Sequence, residues 1–474
     1  MIISLVQVSY GEKWPPLALL YVGSYLVNNG YEVKVFDIFP DQIDETIEEI
    51  IKDNPLFVGF SVLTGITSFY SCIMADKLKR ISPETKIVWG GHHPSLLPSQ
   101  CLNEEFVDIV CIGEGEETAL EIANALSDNI SLKYIKGIGF KNNSKEIVIN
   151  QYREREKNID KYKLNWELID IKDYIKKSNM QKVISFFSSR GCPFDCGFCS
   201  SVEFYDRTWR PHSKAYVVEN LVYLKDKYGI DTVYFSDDNF MVNKKRGIEI
   251  LEELYKNSIK TETLDIRIDM LNKQLMDEIT RIDVSGIFLG WESGDERMLE
   301  LMNKKITSND IVKVVQLLKK YPSVGVWASG IMCIPTETPE SFKNTLNMAA
   351  YIFENIPKGT VSLFRYMPLP KTKLLNLAIK NGFSYPNNTK DWVRVDPQTN
   401  YYDITWIPWL DKSHKQNIFN TQFYTRNILH KYGKKGFKYK IQDIFNYIGE
   451  WRIKNQNFHL LFDKEIYNLI SKYK

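Results

Sequence analysis

Cysteine is scarce in this chain, seven in 474 residues, which excludes a secreted scaffold held together by disulfides. An excess of one charge is also missing. The 61 Lys and Arg stand against 59 Asp and Glu, so no global field marks a nucleic-acid coat protein. The start, MIISLVQVSYGEKW, has neither a basic n-region nor a signal cleavage site. The longest apolar run, residues 17–27, is too short to cross a bilayer. Together these absences predict a soluble cytoplasmic protein with no transmembrane segment and no nucleic-acid partner. What is present is ordinary: 44% hydrophobic and 25% charged residues, in a length that suits roughly two to four domains. One stretch departs from neutrality. From residue 411 to the end thirteen Lys and Arg face five Asp and Glu, a local +8 that leaves the first 410 residues at −6. A solvated helical face is the simpler reading of that tail, and a docking surface for an acidic or lipid-like partner is the other.

Residues 1–128 alternate β-branched runs (2–8, 32–37, 57–63, 86–90, 108–112) with helical patterns (17–29, 43–52, 68–81, 94–103, 116–127). That rhythm predicts a doubly wound parallel sheet with helices on both faces, its ligands beyond the carboxyl ends of the strands. Glycine-bearing turns fall there, at 59–65, 89–94 and 113–116, and none reads GxGxxG. A hairpin at 134–150 closes a first domain, residues 1–150, and a charged connector over 151–181 follows. Strand–helix alternation resumes at 182, with strands at 183–188, 232–235, 263–268, 286–291, 325–331 and 361–366. Six such units predict a partial (β/α)6 barrel over 182–383, with its site at the strands' C-terminal ends. An aromatic, helical segment, 384–474, completes the α/β chain as a cap that helps select substrate. Tyr401, Tyr402, Trp406, Trp409 and the basic stretch 431–440 suit a large or amphipathic one.

Directly after the first barrel strand comes Ser189-Arg190-Gly191-Cys192-Pro193-Phe194-Asp195-Cys196-Gly197-Phe198-Cys199. Three thiols this close let one loop hold three corners of a [4Fe–4S] cubane, leaving the fourth iron open to a small chelating molecule. The competing reading is structural zinc on the three cysteines and His212. A zinc ribbon would need a second knuckle, and Cys72, Cys101, Cys111 and Cys333 stand alone.

CxxxCxxC with an aromatic, Phe198, before the last cysteine, on the first strand of a partial barrel, resembles the radical S-adenosylmethionine superfamily. The resemblance implies that Cys192, Cys196 and Cys199 hold [4Fe–4S] and that S-adenosylmethionine chelates the open iron. One electron then cleaves the cofactor, and the 5′-deoxyadenosyl radical abstracts hydrogen from substrate. Later strand ends agree. The run 235–240 places Asp237 and Asp238 by the methionyl amine, and 265–269 places Arg267 by the substrate or the methionyl carboxylate. Trp291-Glu292-Ser293-Gly294 brings Glu292 to the ribose. The fifth- and sixth-strand turns, 330–338 and 366–370, match except that Thr336 and Lys371 stand where glycines are expected.

The N-terminal segment (15–37, 90–94, 108–116) and the connector run 165–170 resemble the cobalamin-binding domain and link of the class of radical enzymes that carries one. That implies cobalamin contacts from Leu63, Thr64, Gly91, His92, His93, Pro94, Gly113, Glu114, Gly115 and Glu116. The D-x-H-x-x-G motif that gives cobalt a histidine elsewhere is missing, which implies a cobalt without one, faced by the loop 63–67. A degenerate domain that keeps the fold and binds nothing is the alternative. The resemblance favours radical methyl transfer to an unactivated carbon, or to phosphinate phosphorus, of a small-molecule, lipid-like or peptide substrate. It also implies a flavodoxin- or ferredoxin-type electron donor. Radical cyclisation or oxidation without methyl transfer is the second reading. RNA methylthiotransfer is the third, disfavoured because Cys72, Cys101 and Cys111 are scattered over two helical segments and a strand.

Overall fold

A computed structural model describes residues 1–142, 144–178, 181–396, 403–431, 437–458 and 461–471. Its first sheet has the strands β1 (Ile2–Val8), β2 (Glu32–Ile38), β3 (Val58–Ser61), β4 (Ile87–Gly90), β5 (Ile109–Cys111), β6 (Ile138–Lys141) and β7 (Ile147–Ile149). They lie in the order β2-β1-β3-β4-β5-β6-β7. The first five are parallel, and β6 and β7 add an antiparallel edge. Strand order reverses between β1 and β3, and in such sheets ligands sit in the crevice at that switch. The helix expected at 94–103 is broken into His92–Leu96 and Pro98–Asn103, because Pro98 has no N–H to continue the first piece.

The second sheet runs β8 (Lys176–Ser178), β9 (Gln181–Phe186), β12 (Thr232–Phe235), β13 (Lys260–Arg267), β14 (Gly286–Glu292), β15 (Gly325–Met332), β16 (Gly359–Arg365) and β17 (His430–Lys431). A short ribbon of β10 (Ser189–Arg190) and β11 (Arg210–Pro211) stands beside it. Six neighbouring parallel strands, β9 and β12 to β16, form the partial barrel. Antiparallel β8 and β17 finish its two edges. Among its described residues the C-terminal segment carries the helices Lys412–Phe423, Phe437–Asn455 and Phe462–Ser471, and β17 joins it to the barrel sheet.

The apolar run that opens the chain is explained by its place. It forms the helix Leu17–Asn28, whose Leu17, Leu20 and Tyr21 pack into the barrel's core while Leu19 and Leu26 pack against the first sheet. A helix apolar on all sides is one buried on all sides. Among the described residues no helix is long and apolar enough to cross a membrane.

Candidate active site

The cysteine loop leaves β10 through Gly191, at φ +82°, where a Cβ would strike the Thr208 carbonyl oxygen and the Tyr205 ring. Its middle is pinned on both sides: Gly197 N donates to Met302 O at 2.8 Å, and Leu374 N donates to Gly197 O at 2.9 Å. All three thiols are half-buried and line one cavity of about 390 Å³ at the barrel mouth. Arg267 reaches in from the end of β13 and donates through Nη1 to Cys196 Sγ at 3.3 Å, its guanidinium lying over the Phe194 ring. Burial pushes the Cys192 thiol up to about 11, so without a cation this thiol stays protonated.

Asp238, Asp265, Glu292 and Lys304 line the same cavity, with Phe198 among the apolar groups. Glu292 ends β14 at φ +60°, beside a shift in the β14–β15 register, and accepts from Lys304 Nζ at 2.6 Å. A non-glycine residue held in that region marks local strain of the kind found at functional sites. Gly290 makes room for the pair, since a Cβ there would strike Glu292 Oε1 and Lys304 Nζ. Asp238 accepts from Ser201 Oγ at 2.7 Å. Oδ1 of Asp265 is buried without a hydrogen-bond partner among the described residues. Burial, helped by the Asp237 and Asp238 carboxylates, raises this group to about 7. An orphaned carboxylate oxygen beside a guanidinium and an ammonium suits a zwitterionic ligand, which offers an amine and a carboxylate together.

Not every expected residue is there. Asp237 lies beneath the cavity, where its carboxylate accepts from Ser188 N at 2.8 Å, Ser188 Oγ at 2.9 Å and Ser189 Oγ. It fixes the strand that carries the loop. His212 is far from the thiols in function: its ring bridges Tyr21 at 2.9 Å and Asp160 at 2.8 Å and stacks on Tyr216. The zinc site of three cysteines and His212 is therefore not formed. No group of three or more His, Cys, Asp or Glu among the described residues is arranged to hold a single metal ion. A cubane asks for one thiol on each of three irons, so the donor set fits a cluster better than one ion.

A second cleft, of about 190 Å³, opens at the carboxyl ends of β1, β3, β4 and β5, with its far wall supplied by Phe187, Arg190, Phe204 and Tyr205. Its walls are mostly apolar. Gly91, His92, Gly113, Glu114, Gly115 and Glu116 line it as expected, together with Gly59 and Gly90. A Cβ on Gly90 would meet only Cys111 Cβ and Phe60 O, at 3.7 and 3.9 Å, so a larger side chain there would grow into open space. A corrinoid is far larger than this cleft, which has room for only part of one. His92 stacks on Phe204 with ring centroids 3.9 Å apart, and burial lowers it to about 4.

Leu63, Thr64, His93 and Pro94 do not line the cleft. Leu63 is 51% exposed. Thr64 Oγ1 pairs with His93 Nδ1 at 3.0 Å, and the buried His93 ring meets Trp392 edge-on. Of the C-terminal aromatics, Trp409 donates to Cys333 O at 3.1 Å and Trp406 packs on Phe383. Tyr401, Tyr402 and 432–436 of the basic stretch lie outside the described residues.

Among the ionisable lining residues, Asp265, Lys304 and Arg365 were not expected from the sequence. Asp265 was legible, since residues two apart on a strand share a face and Arg267 marks that face. Lys304 was not, because only the tertiary fold brings its loop to Glu292.

Comparison with known proteins agrees with this layout. A B12 binding domain model matches residues 3–123, and a Radical SAM superfamily model matches residues 186–349. An uncharacterised methyltransferase of Pyrococcus horikoshii is 32% identical over 408 residues, covering 83% of this chain and 85% of that protein. An anaerobic magnesium-protoporphyrin IX monomethyl ester cyclase of Rubrivivax gelatinosus is 26% identical over 71% of this chain and 62% of its own length. Among solved structures, the radical S-adenosylmethionine methyltransferase TsrM from Kitasatospora setae, with cobalamin and a [4Fe–4S] cluster bound, shares the fold. It aligns with a TM-score of 0.65 at 17% identity, over 83% of this chain and 81% of that one. Two domain types in this order, on one chain with both cavities, make the protein a member of the B12-binding radical S-adenosylmethionine enzymes, whose cofactors are cobalamin, S-adenosylmethionine and a [4Fe–4S] cluster.

Proposed function

We propose that this enzyme transfers a methyl group to an unactivated carbon, or to phosphinate phosphorus, of a small-molecule acceptor. The observation that carries this reading is the pairing of the two cavities. A thiol-lined, ionisable one lies at the barrel mouth, and an apolar, glycine-walled one at the sheet's switch point is lined by Arg190, Phe204 and Tyr205, which flank the cysteine loop in the chain. The methyltransferase relative from Pyrococcus supports it.

Cys192, Cys196 and Cys199 would hold the cluster. Asp238, Asp265, Arg267 and the Glu292–Lys304 pair would hold S-adenosylmethionine, and the N-terminal cleft would take part of cobalamin. When bound, these groups supply reductive carbon–sulfur cleavage, hydrogen abstraction and a methyl donor. The chain's own part is placement and exclusion. Arg267 lies on Cys196 and holds its side chain at the cavity. The bare Asp265 oxygen offers an ammonium an unshared acceptor. Glu292, held by Lys304 in a single orientation, presents a fixed acceptor to a hydroxyl. Phe288 on β14 and Phe364 on β16 give the cavity an apolar wall on which an acceptor's carbon skeleton can rest. We infer that a flavodoxin- or ferredoxin-type protein supplies the electron.

Cyclisation without methyl transfer is the second reading, favoured by the cyclase relative. Anaerobic reconstitution with iron, sulfide and hydroxocobalamin tests the cofactor set. About four irons and one cobalt per chain are expected. Zinc in place of iron overturns the reading, and iron without cobalt moves it to cobalamin-free chemistry. Once an acceptor is in hand, product mass with methyl-labelled S-adenosylmethionine decides between transfer and cyclisation.

A further inference from the structure

Arg190 carries a charge that the chemistry above does not use. It ends β10, two positions before Cys192, and its side chain is only 7% exposed. Nη2 donates to Glu116 Oε1 at 2.6 Å and Nη1 to Glu114 Oε1 at 3.1 Å. Arg210, its partner across the β10–β11 ribbon, donates to both oxygens of Glu114, at 2.6 and 2.7 Å. The Arg190 guanidinium also lies over the Tyr21 ring, 4.6 Å from its centroid. Two arginines of the barrel ribbon are thus locked onto two glutamates in the turn that follows β5.

A buried ion pair of this kind adds little net stability over apolar packing, because desolvation offsets the attraction. Its consequence is geometric. A planar guanidinium shared between two carboxylates and a ring face allows essentially one arrangement of the groups around it. Glu114, Glu116 and Arg190 also line the N-terminal cleft. A ligand seated there presses on the same side chains that fix the root of the cysteine loop. The loop has little slack to absorb that, given Gly191 at φ +82° and the clamp on Gly197.

We propose that Arg190, held by Glu114 and Glu116, is a positioning residue that couples the two cavities, so that filling either site changes the affinity and electronic environment of the other. This rests on the two-cofactor reading. Coupling between binding sites is reciprocal, so it is measurable from either end.

Hydroxocobalamin is titrated anaerobically into the full chain before and after cluster reconstitution, followed by corrinoid absorbance. The reduced cluster's electron paramagnetic resonance spectrum is recorded with and without it. In the wild type, affinities differing by about tenfold between cluster-free and cluster-loaded protein are expected, with a shift in the cluster's g-values on adding cobalamin. Arg190→Lys keeps the charge but loses the fork, and Glu116→Gln keeps the shape but loses the charge. In both variants the difference shrinks below about twofold and the spectral shift vanishes, whatever the variant's absolute affinity for cobalamin. Equal wild-type affinities in the two states overturn the coupling, and so does an Arg190→Lys variant that keeps the full ratio and shift. If Arg190→Lys fails to fold, Glu116→Gln and the wild-type ratio decide. A wild type that takes up iron but binds no cobalamin in either state overturns the two-cofactor reading itself, an outcome told apart by the absence of any corrinoid signal.

Discussion

The cavity at the barrel mouth and the cleft in the N-terminal sheet are built from opposite materials. The first is lined by three thiols, three carboxylates, two guanidiniums and an ammonium, brought together from four strand ends and two loops. The second is walled by glycines, aliphatic side chains and aromatic rings, with an uncharged imidazole and two glutamates already engaged by arginines. A group held by coordination and charge requires donors, and donors are visible as residue types. A group held by shape requires room, and room shows in a sequence only as side chains that are missing. The comparison predicts that damage to the first cavity removes the iron and with it all radical chemistry, while damage to the second removes cobalamin and leaves the iron in place.

The largest effect belongs to the thiols. Cys196→Ala removes one corner of the cluster and the partner of Arg267 Nη1. Iron is expected to fall from about four per chain to near zero, with loss of all S-adenosylmethionine cleavage. Cobalamin uptake should survive, which iron and cobalt analysis of one anaerobic preparation would show. Retention of a full cluster by this variant would mean that the loop's ligands lie elsewhere.

Much of this architecture was legible. Strand–helix alternation gave the parallel sheet and six barrel strands, and three cysteines on one loop pointed to the cavity that their thiols line. The misses have physical reasons. Asp237 and Asp238 are adjacent in the turn after β12, which ends at Phe235, so no strand alternation says which of them faces the cavity. Only Asp238 enters the cavity, while Asp237 turns to Ser188 and Ser189. His92 and His93, the first two residues of the short helix after β4, also divide, one to the cleft and one to Trp392. In each pair the residue type carries no information on which neighbour faces the ligand. Lys304 and Arg190 owe their roles to segments far off in sequence, Glu292 across a loop and Glu116 across a domain, so no local pattern announced them.

The N-terminal cleft is broken by filling it. Gly90→Leu puts a side chain into open space, with its Cβ in ordinary contact with Cys111 and Phe60. Hydroxocobalamin affinity is expected to fall at least about a hundredfold, since overpacking a site costs on the order of 1–3 kcal/mol before any lost contact is counted. Iron content should not change. A variant that loses iron as readily as cobalt would show that the two cavities are not separable in this way.

A smaller effect, and one that depends on pH, is expected at Asp265. Its carboxyl is raised to about 7 by burial, and only the ionised form attracts an ammonium. S-adenosylmethionine affinity in the cluster-loaded enzyme should therefore weaken by about tenfold as pH falls from 8 to 6. Asp265→Asn should flatten that profile and bind about tenfold less tightly at pH 8. The sign for stability is the reverse. A carboxyl raised in the folded state contributes stability that is full below the unfolded value near 4 and lost as pH rises through about 7. The Asn variant should thus melt higher than wild type above pH 7 even as it binds worse. Thermal melts and titrations at three pH values would separate the two trends, and a variant that both binds and melts like wild type would remove Asp265 from the site.

The smallest effect concerns two residues that stand where glycines were expected. Thr336 and Lys371 occupy φ +70° and φ +61°, the left-handed backbone that glycine adopts freely. The turns at the ends of β15 and β16 have kept the shape and changed the residue, at a cost of about 1–2 kcal/mol each for an L side chain there. Thr336 recovers part of that cost, since Arg297 donates to its hydroxyl at 3.1 Å and to its carbonyl at 2.7 Å. Replacing it with glycine loses the hydroxyl contact. Among the side-chain hydrogen bonds and ion pairs of the described residues none involves Lys371, so Lys371→Gly sheds strain and gives up only unfolded-chain entropy, about 0.5–1 kcal/mol. It should stabilise the protein slightly and leave iron and cobalt content alone, whereas Thr336→Gly should be neutral or mildly destabilising. Denaturant melts of the two variants side by side would measure the difference. If Lys371→Gly instead costs stability, the lysine is making a contact that its place in the turn does not reveal, and the missing glycine would be a feature of this site rather than a substitution its backbone merely tolerates.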